Sequence, residues 1–166
     1  RVKECEEAFQ KLSMKIKGLE NFRDIDQDDY SIVESLDRDL KHRVRHIIQE
    51  NQRVLDMKDA IINNNIEDIG DLLSESHQSL KKYYEVSCDE IDYLIESSED
   101  LEYWHGGRIM GGGFGGNTLN LIKEGYEDEY VDIISSLYRK KFNINCSSHL
   151  ICFVDGAEII DNISVD

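Results

Sequence analysis

The chain has 166 residues, of which 40% are apolar and 33% charged, and a formal charge of -16. A single domain of that size buries roughly 70% of its unfolded surface, so no metal or disulfide staple is needed, and the acidity excludes nucleic acid, whose phosphates are held by clustered Lys and Arg. No apolar run approaches the roughly eighteen residues that span a bilayer, no leader pattern opens the sequence, and the four cysteines (Cys5, Cys88, Cys146, Cys152) make no C-x-x-C pair; the expectation is a cytoplasmic protein with reduced thiols, no membrane partner and no metal site.

In chain order, Val2, Cys5, Phe9, Leu12 and Ile16 recur at helical spacing, which predicts a helix from Val2 to about Lys17 that stops at Gly18. Because the pattern starts at Arg1 without Met or cap, the chain reads as a fragment. Asp28 or Asp29 is placed to begin a short helix through Leu36. The longest helix is expected from Asp37 to Ile62, with Leu40, Val44, Ile47, Ile48, Val54, Leu55 and Ile61 on one face. His42 and His46 lie four apart on it, a metal-ligand spacing, but no third ligand is in place and both read as solvated helix residues.

Asn65 is a candidate N-cap for a helix ending near Tyr83 or Tyr84, on which His77 reads as a packing residue. Ser87 and Glu90 form a capping box ahead of a helix to about Ser98. Beyond Leu101 the pattern changes. Arg108 to Met110 and Asn117 to Lys123 read as strands, Trp104 as a core residue, Glu127 to Lys141 as a helix, and Leu150 to Val154 as a buried strand before an Asp155-Gly156 turn. A helix-rich first half followed by strands makes a single α+β domain over 1–166.

Seven of the eleven glycines fall between Gly106 and Gly116. Ordering them costs roughly 3–7 kcal/mol more than ordering alanines, a cost that suits backbone approached closely by a ligand or a second domain. The window Tyr103 to Lys123 holds no acidic residue, where about four are expected by chance, and it contains His105, Arg108 and Lys123. It is thus an island tolerant of anions, and its bare N–H groups suit a phosphate site; a plain connection between two strands is the alternative. Gly111, Gly113 and Gly116 match G-x-G-x-x-G, yet the residues that follow alternate like a strand instead of opening a helix, which rejects a dinucleotide fingerprint. No G-K-[S/T] follows to make a P-loop.

The segment Gly107-Arg108-Ile109-Met110-Gly111-Gly112-Gly113-Phe114-Gly115-Gly116 resembles the third motif of the GHMP small-molecule kinases in its galactokinase form, G-[SAG]-R-M-T-G-G-G-F-G-G. Further matches follow the same order and spacing. Phe22-Arg23-Asp24-Ile25 resembles L-R-D-V, and Arg43 to Asn51 resembles R-x-R-H-V-V-x-E-N. Glu75 to Leu80 and Tyr84 to Asp92 resemble E-S-H-x-S-L and Y-E-V-S-C-P-E-L-D. The likeness runs from Arg1 to about Ala157. Met110, Asp89 and Asn117 stand where the family has Thr, Pro and Cys, and the first of these changes removes a hydroxyl beside the phosphate region.

The resemblance implies a GHMP C-terminal domain with a ferredoxin-like antiparallel sheet packed against several helices. It implies the second half of a kinase that phosphorylates the anomeric hydroxyl of galactose with ATP and Mg2+. Gly111, Gly112, Gly113, Phe114, Gly115 and Gly116 form the nucleotide or phosphate-site loop in that scheme, and Arg108 is a candidate phosphate or interdomain contact. Sugar contacts, the catalytic residues and most of the ATP and Mg2+ binding belong to an N-terminal GHMP domain upstream in cis. No catalytic residue is expected here, so this chain alone is expected to fold without turnover and to keep an exposed apolar face where that domain docks. The alternatives are an N-acetylgalactosamine kinase and a catalytically silent galactose-sensing regulator of the same fold.

Overall fold

A computed structural model of the protein describes residues 1–151. Its elements in order are α1 (Val2–Ser13), a 3-10 turn (Phe22–Asp24), α2 (Tyr30–Glu34), α3 (Arg38–Ile62), α4 (Ile66–Ser79), a π-helical turn (Leu80–Tyr84), α5 (Asp89–Glu96), β1 (Trp104–Met110), β2 (Asn117–Ile122) and α6 (Glu127–Phe142). The α+β reading holds, with helix dominating the first hundred residues. Among the described residues no helix is long and apolar enough to cross a membrane.

Two apolar clusters organise the domain. In the first, Ala8 and Leu12 of α1 pack with Val33 of α2 and with Leu40 and Val44 of α3. Its lid is the 3-10 turn, closed by a true capping box: the Asn21 side chain accepts from the Arg23 amide at 2.8 Å, and the Asp24 carboxylate accepts from the Asn21 amide at 2.8 Å. In the second, Tyr103, Tyr130 and Ile134 pack with Trp104, Leu94 and Ile122, joining the hairpin to α5 and α6. Trp104 therefore closes a core as expected, and its indole N–H donates to Asn120 Oδ1 at 3.1 Å.

β1 and β2 pair antiparallel from Trp104↔Ile122 to Met110↔Asn117, with an irregularity between Trp104 and Gly106. Across one face of this hairpin runs α4, and the two meet backbone to backbone. A Cβ on Gly70 would lie 2.1 Å from the His105 carbonyl oxygen, and one on Gly106 would lie 1.9 Å from that of Gly70. Only glycine fits on either side.

Several sequence expectations are corrected. α1 ends at Ser13, four residues early: the Lys15 amide bonds the Leu12 carbonyl three residues back, at 2.8 Å, in place of the four-residue helical step, and Ile16 nevertheless lies in the core. The Ser87–Glu90 capping box does not form: α5 starts from Cys88 without a side-chain cap, and the Ser87 hydroxyl donates instead to Asp92. The apolar face of α3 is covered mainly over its first half: Val54, Leu55 and Ile61 are 64%, 57% and 57% exposed, and only Ala60 is buried beyond His46. His46 is buried where a solvated residue was expected. Leu150 and Ile151 are exposed and outside any strand, and the rest of that expected strand, with the Asp155-Gly156 turn, lies outside the described residues. Asn65 does cap α4, accepting from the Asp68 amide at 3.3 Å.

Candidate functional site

The glycine-rich segment is the tip of the β1–β2 hairpin, residues 111–116. Gly111, Gly113, Phe114, Gly115 and Gly116 all have positive φ, between +62° and +130°, a run only a glycine-rich sequence can sustain. Phe114 is the exception in kind: a bulky residue at φ +62° that is 68% exposed. What holds it there is one hydrogen bond, from its amide to the Val86 carbonyl at 2.6 Å. Gly113 rests on the same residue, since a Cβ there would lie 2.6 Å from both the Val86 Cβ and its carbonyl oxygen.

Six of the seven glycines thus divide by their neighbours, while Gly116 answers to its φ of +101°. Gly106 and Gly107 serve packing against α4 and Asn120, and Gly113 serves packing against Val86. Around Gly111, Gly112 and Gly115 a Cβ would meet nothing within 4 Å, and Gly112 does not even have a positive φ. Nothing among the described residues requires glycine at 112.

Val86 follows a turn built around Arg43. This guanidinium, 1% exposed, donates from Nε to Glu4 Oε2 at 2.6 Å, from Nη2 to Glu85 Oε2 at 2.8 Å and from Nη1 to the Tyr83 carbonyl. It ties α1, α3 and the π-helical turn together. The Arg43 guanidinium in turn holds the Glu4 and Glu85 carboxyls below the usual carboxylate range. Glu85 itself is left-handed at φ +54°.

His46, one turn further along α3, meets Ser79 Oγ at 2.8 Å through Nδ1, and its ring lies 4.6 Å from that of Tyr84. Burial pushes its imidazole down to about 4. His42 sets its ring edge-on to Tyr83 at 5.4 Å. The two histidines are thus packing residues of the α3–π-turn joint. His77 is buried as expected, 1% exposed, with Nε2 3.5 Å from Asp92 Oδ1.

Arg108 is occupied within the chain. Its Nη1 donates to Glu50 Oε1 at 3.0 Å, and the Glu50 carboxylate also accepts from Ser76 Oγ at 2.6 Å and Arg53 Nε at 2.9 Å. Glu50 therefore joins α3, α4 and β1 beneath the loop. Among the described residues no three His, Cys, Asp or Glu side chains are grouped to hold a metal. Sequence reasoning overlooked Gly70 and Val86. A lone glycine in a helix that packs on a strand is a signal for the first, whereas no local pattern marks the second.

Residues 57–140, half of the chain, match the family model described as GHMP kinases C terminal. The chain belongs to the GHMP kinase family. Among curated relatives of this GHMP chain, a galactokinase of Thermotoga neapolitana is 35% identical over 160 residues, 96% of this chain and 43% of that protein. A galactokinase of Bacillus subtilis is 34% identical over 161 residues, 95% of this chain and 40% of that protein. The crystal structure of Lactococcus lactis galactokinase complexed with galactose superposes with a TM-score of 0.80 at 26% identity, covering 86% of this chain and 37% of that one. The GHMP chain spans less than half the length of these relatives.

Proposed function

We propose that this GHMP chain is the C-terminal half of a galactokinase, which transfers the terminal phosphoryl group of Mg-ATP to the anomeric hydroxyl of galactose. The observation that carries the reading is the open side of the loop. Gly111, Gly112 and Gly115 face space that no atom of the described chain fills, in a segment that matches the family motif apart from Ile109 and Met110. Gly111 and Gly115 also answer to their positive φ, but Gly112 has neither a neighbour nor a backbone reason to be glycine, and glycine kept there suits backbone approached from outside, by nucleotide phosphates and by the phosphate loop of an upstream domain. Phosphoryl transfer depends mainly on positioning and charge stabilisation, so a loop without acid or base contributes by shape alone.

In this reading the chain's own residues do limited work. Val86 sets the loop, Glu50 neutralises Arg108 beneath it, and the glycine peptides present their faces to the phosphates. ATP with its Mg2+ supplies the group transferred, held mainly by the upstream half, and the complete protein works in the cytoplasm. A second reading, a galactose sensor without turnover, draws on Met110: it is 42% exposed at the foot of the loop, where its thioether cannot supply the hydroxyl of the family's Thr. The deciding experiment is ADP release by the protein from its complete reading frame, given Mg-ATP with galactose or N-acetylgalactosamine. Turnover selective for galactose is the expected result. Selectivity for the N-acetyl sugar would reassign the substrate, and absence of turnover while galactose still raises the melting temperature would establish the sensor. The 166-residue chain alone is expected to give no ADP.

A further inference from the structure

The loop reaches the rest of the domain through a single residue. Among the described residues, the Phe114 amide to Val86 carbonyl bond is the one hydrogen bond that residues 111–116 make outside their hairpin. Val86 is itself buried, and its own amide donates to the Leu80 carbonyl at 3.1 Å. Both of its neighbours in sequence are tied by side chains. On one side, the Glu85 carboxylate receives Arg43 Nη2 at 2.8 Å and Arg1 Nη2 at 3.1 Å, and the Glu85 carbonyl receives Arg1 Nη2 at 2.9 Å. On the other, the Ser87 hydroxyl donates to Asp92 Oδ1. That carboxylate is fixed in turn by Lys81 Nζ, 3.0 Å from Oδ2, and faces His77 Nε2.

The geometry points to Arg43 and Asp92 as positioning residues that act from opposite sides of Val86 to hold the glycine-rich loop in the shape that receives nucleotide phosphate. The inference rests on the reading of residues 111–116 as the phosphate-site loop. Its physical ground is entropy. A glycine run has many backbone states, and a loop that must be ordered at each encounter loses affinity by that ordering. Two charged clamps on residues 85 and 87 fix the carbonyl to which Phe114 bonds, so the ordering is complete before the ligand arrives. Neither Arg43 nor Asp92 touches the loop, and both act through main chain.

The test uses the complete protein with Ser87→Ala, which removes one hydroxyl, Ser87→Thr, which keeps it, and Glu85→Gln, which keeps the hydrogen-bond acceptor but not the charge. Hydrogen exchange of the Phe114 amide without nucleotide is the first readout. It is expected to quicken about tenfold in Ser87→Ala and Glu85→Gln and to return to the parent rate in Ser87→Thr, with the Ile109 and Thr118 amides unchanged. The second readout is steady-state kinetics: a KM for Mg-ATP raised several-fold in Ser87→Ala, with the KM for galactose unaltered. Unchanged Phe114 protection in both Ser87→Ala and Glu85→Gln would overturn the proposal. So would an equal loss of protection across the strand amides, or equal rises in both KM values, since either marks a general loss of stability. Should the parent protein release no ADP, the galactokinase reading fails by itself, and the exchange pattern still decides whether the clamps hold the loop.

Discussion

At the base of the hairpin a Cβ on Gly106 would sit 1.9 Å from the Gly70 carbonyl oxygen, whereas at the tip a Cβ on Gly111, Gly112 or Gly115 would meet nothing within 4 Å. The same residue type is required at one end by the chain's own backbone and left at the other in open space. The base is positioned by contact with a helix, and the tip only through Val86, by the Phe114 hydrogen bond and the close approach of Gly113. A glycine-rich sequence therefore carries two messages, one about packing and one about what comes from outside, and only the neighbours in space separate them.

The comparison is broken most severely at the base. Gly106→Ala must push β1 away from α4 along backbone that cannot yield, and the expected loss of stability is about 3 kcal/mol or more, seen as loss of the cooperative melt or a large fall in the urea midpoint. Removing the support behind the tip comes next. Arg43→Met leaves two carboxylates and the Tyr83 carbonyl without their donor, and because Glu4 and Glu85 are partly solvated the cost is expected near the low end for a broken buried pair, about 3 kcal/mol by the same melts.

Acid is a gentler probe of the same support. His46 is held neutral by burial, with its imidazole at about 4 against 6.5 when unfolded. Below pH 6.5 the unfolded chain takes up a proton that the folded chain refuses until about pH 4. Stability is thus complete above that window, is lost as pH falls through it, and levels off below it. By pH 5 the loss due to His46 is about 2 kcal/mol, and burial lowers His77 in the same direction. Urea midpoints at pH 7 and pH 5 should separate for the parent and separate less for His46→Gln, the remainder coming from His77.

The smallest effect belongs to the open tip. Gly112→Ala needs neither space nor a positive φ, so its stability should equal the parent's or exceed it by about 0.5 kcal/mol through a stiffer unfolded chain. On the proposed galactokinase reading, the same change in the complete protein is expected to slow sugar phosphorylation at least several-fold. A variant as active as the parent would mean that nothing approaches the tip.

How much of this was legible in the sequence follows the range of the contacts. α3, α4, α5, α6 and the hairpin are written in local periodicity and were readable, as was the loop, from its glycine count and missing acids. The end of α1 was not, because nothing in Met14 to Lys17 marks the shift of the Lys15 amide to the Leu12 carbonyl. The π-helical turn likewise has no local signature. Arg43, Glu50 and Glu85 were visible as letters of motifs, but their purpose lies in partners tens of residues away: Glu4 and Glu85 for Arg43, Arg108 for Glu50. A capping box was misread at Ser87 because its hydroxyl had a better partner in Asp92 than in the backbone ahead of it.

The Gly70–Gly106 crossing also limits how the sequence can change. In an ordinary core an enlarged side chain can be accommodated when a neighbour becomes smaller, so substitutions are repaired in pairs. Here both partners are already the smallest residue available, and the atoms that would collide belong to peptide groups. A mutation at either position has no second-site remedy within the pair, and the joint that sets the hairpin against α4 cannot drift by compensated steps.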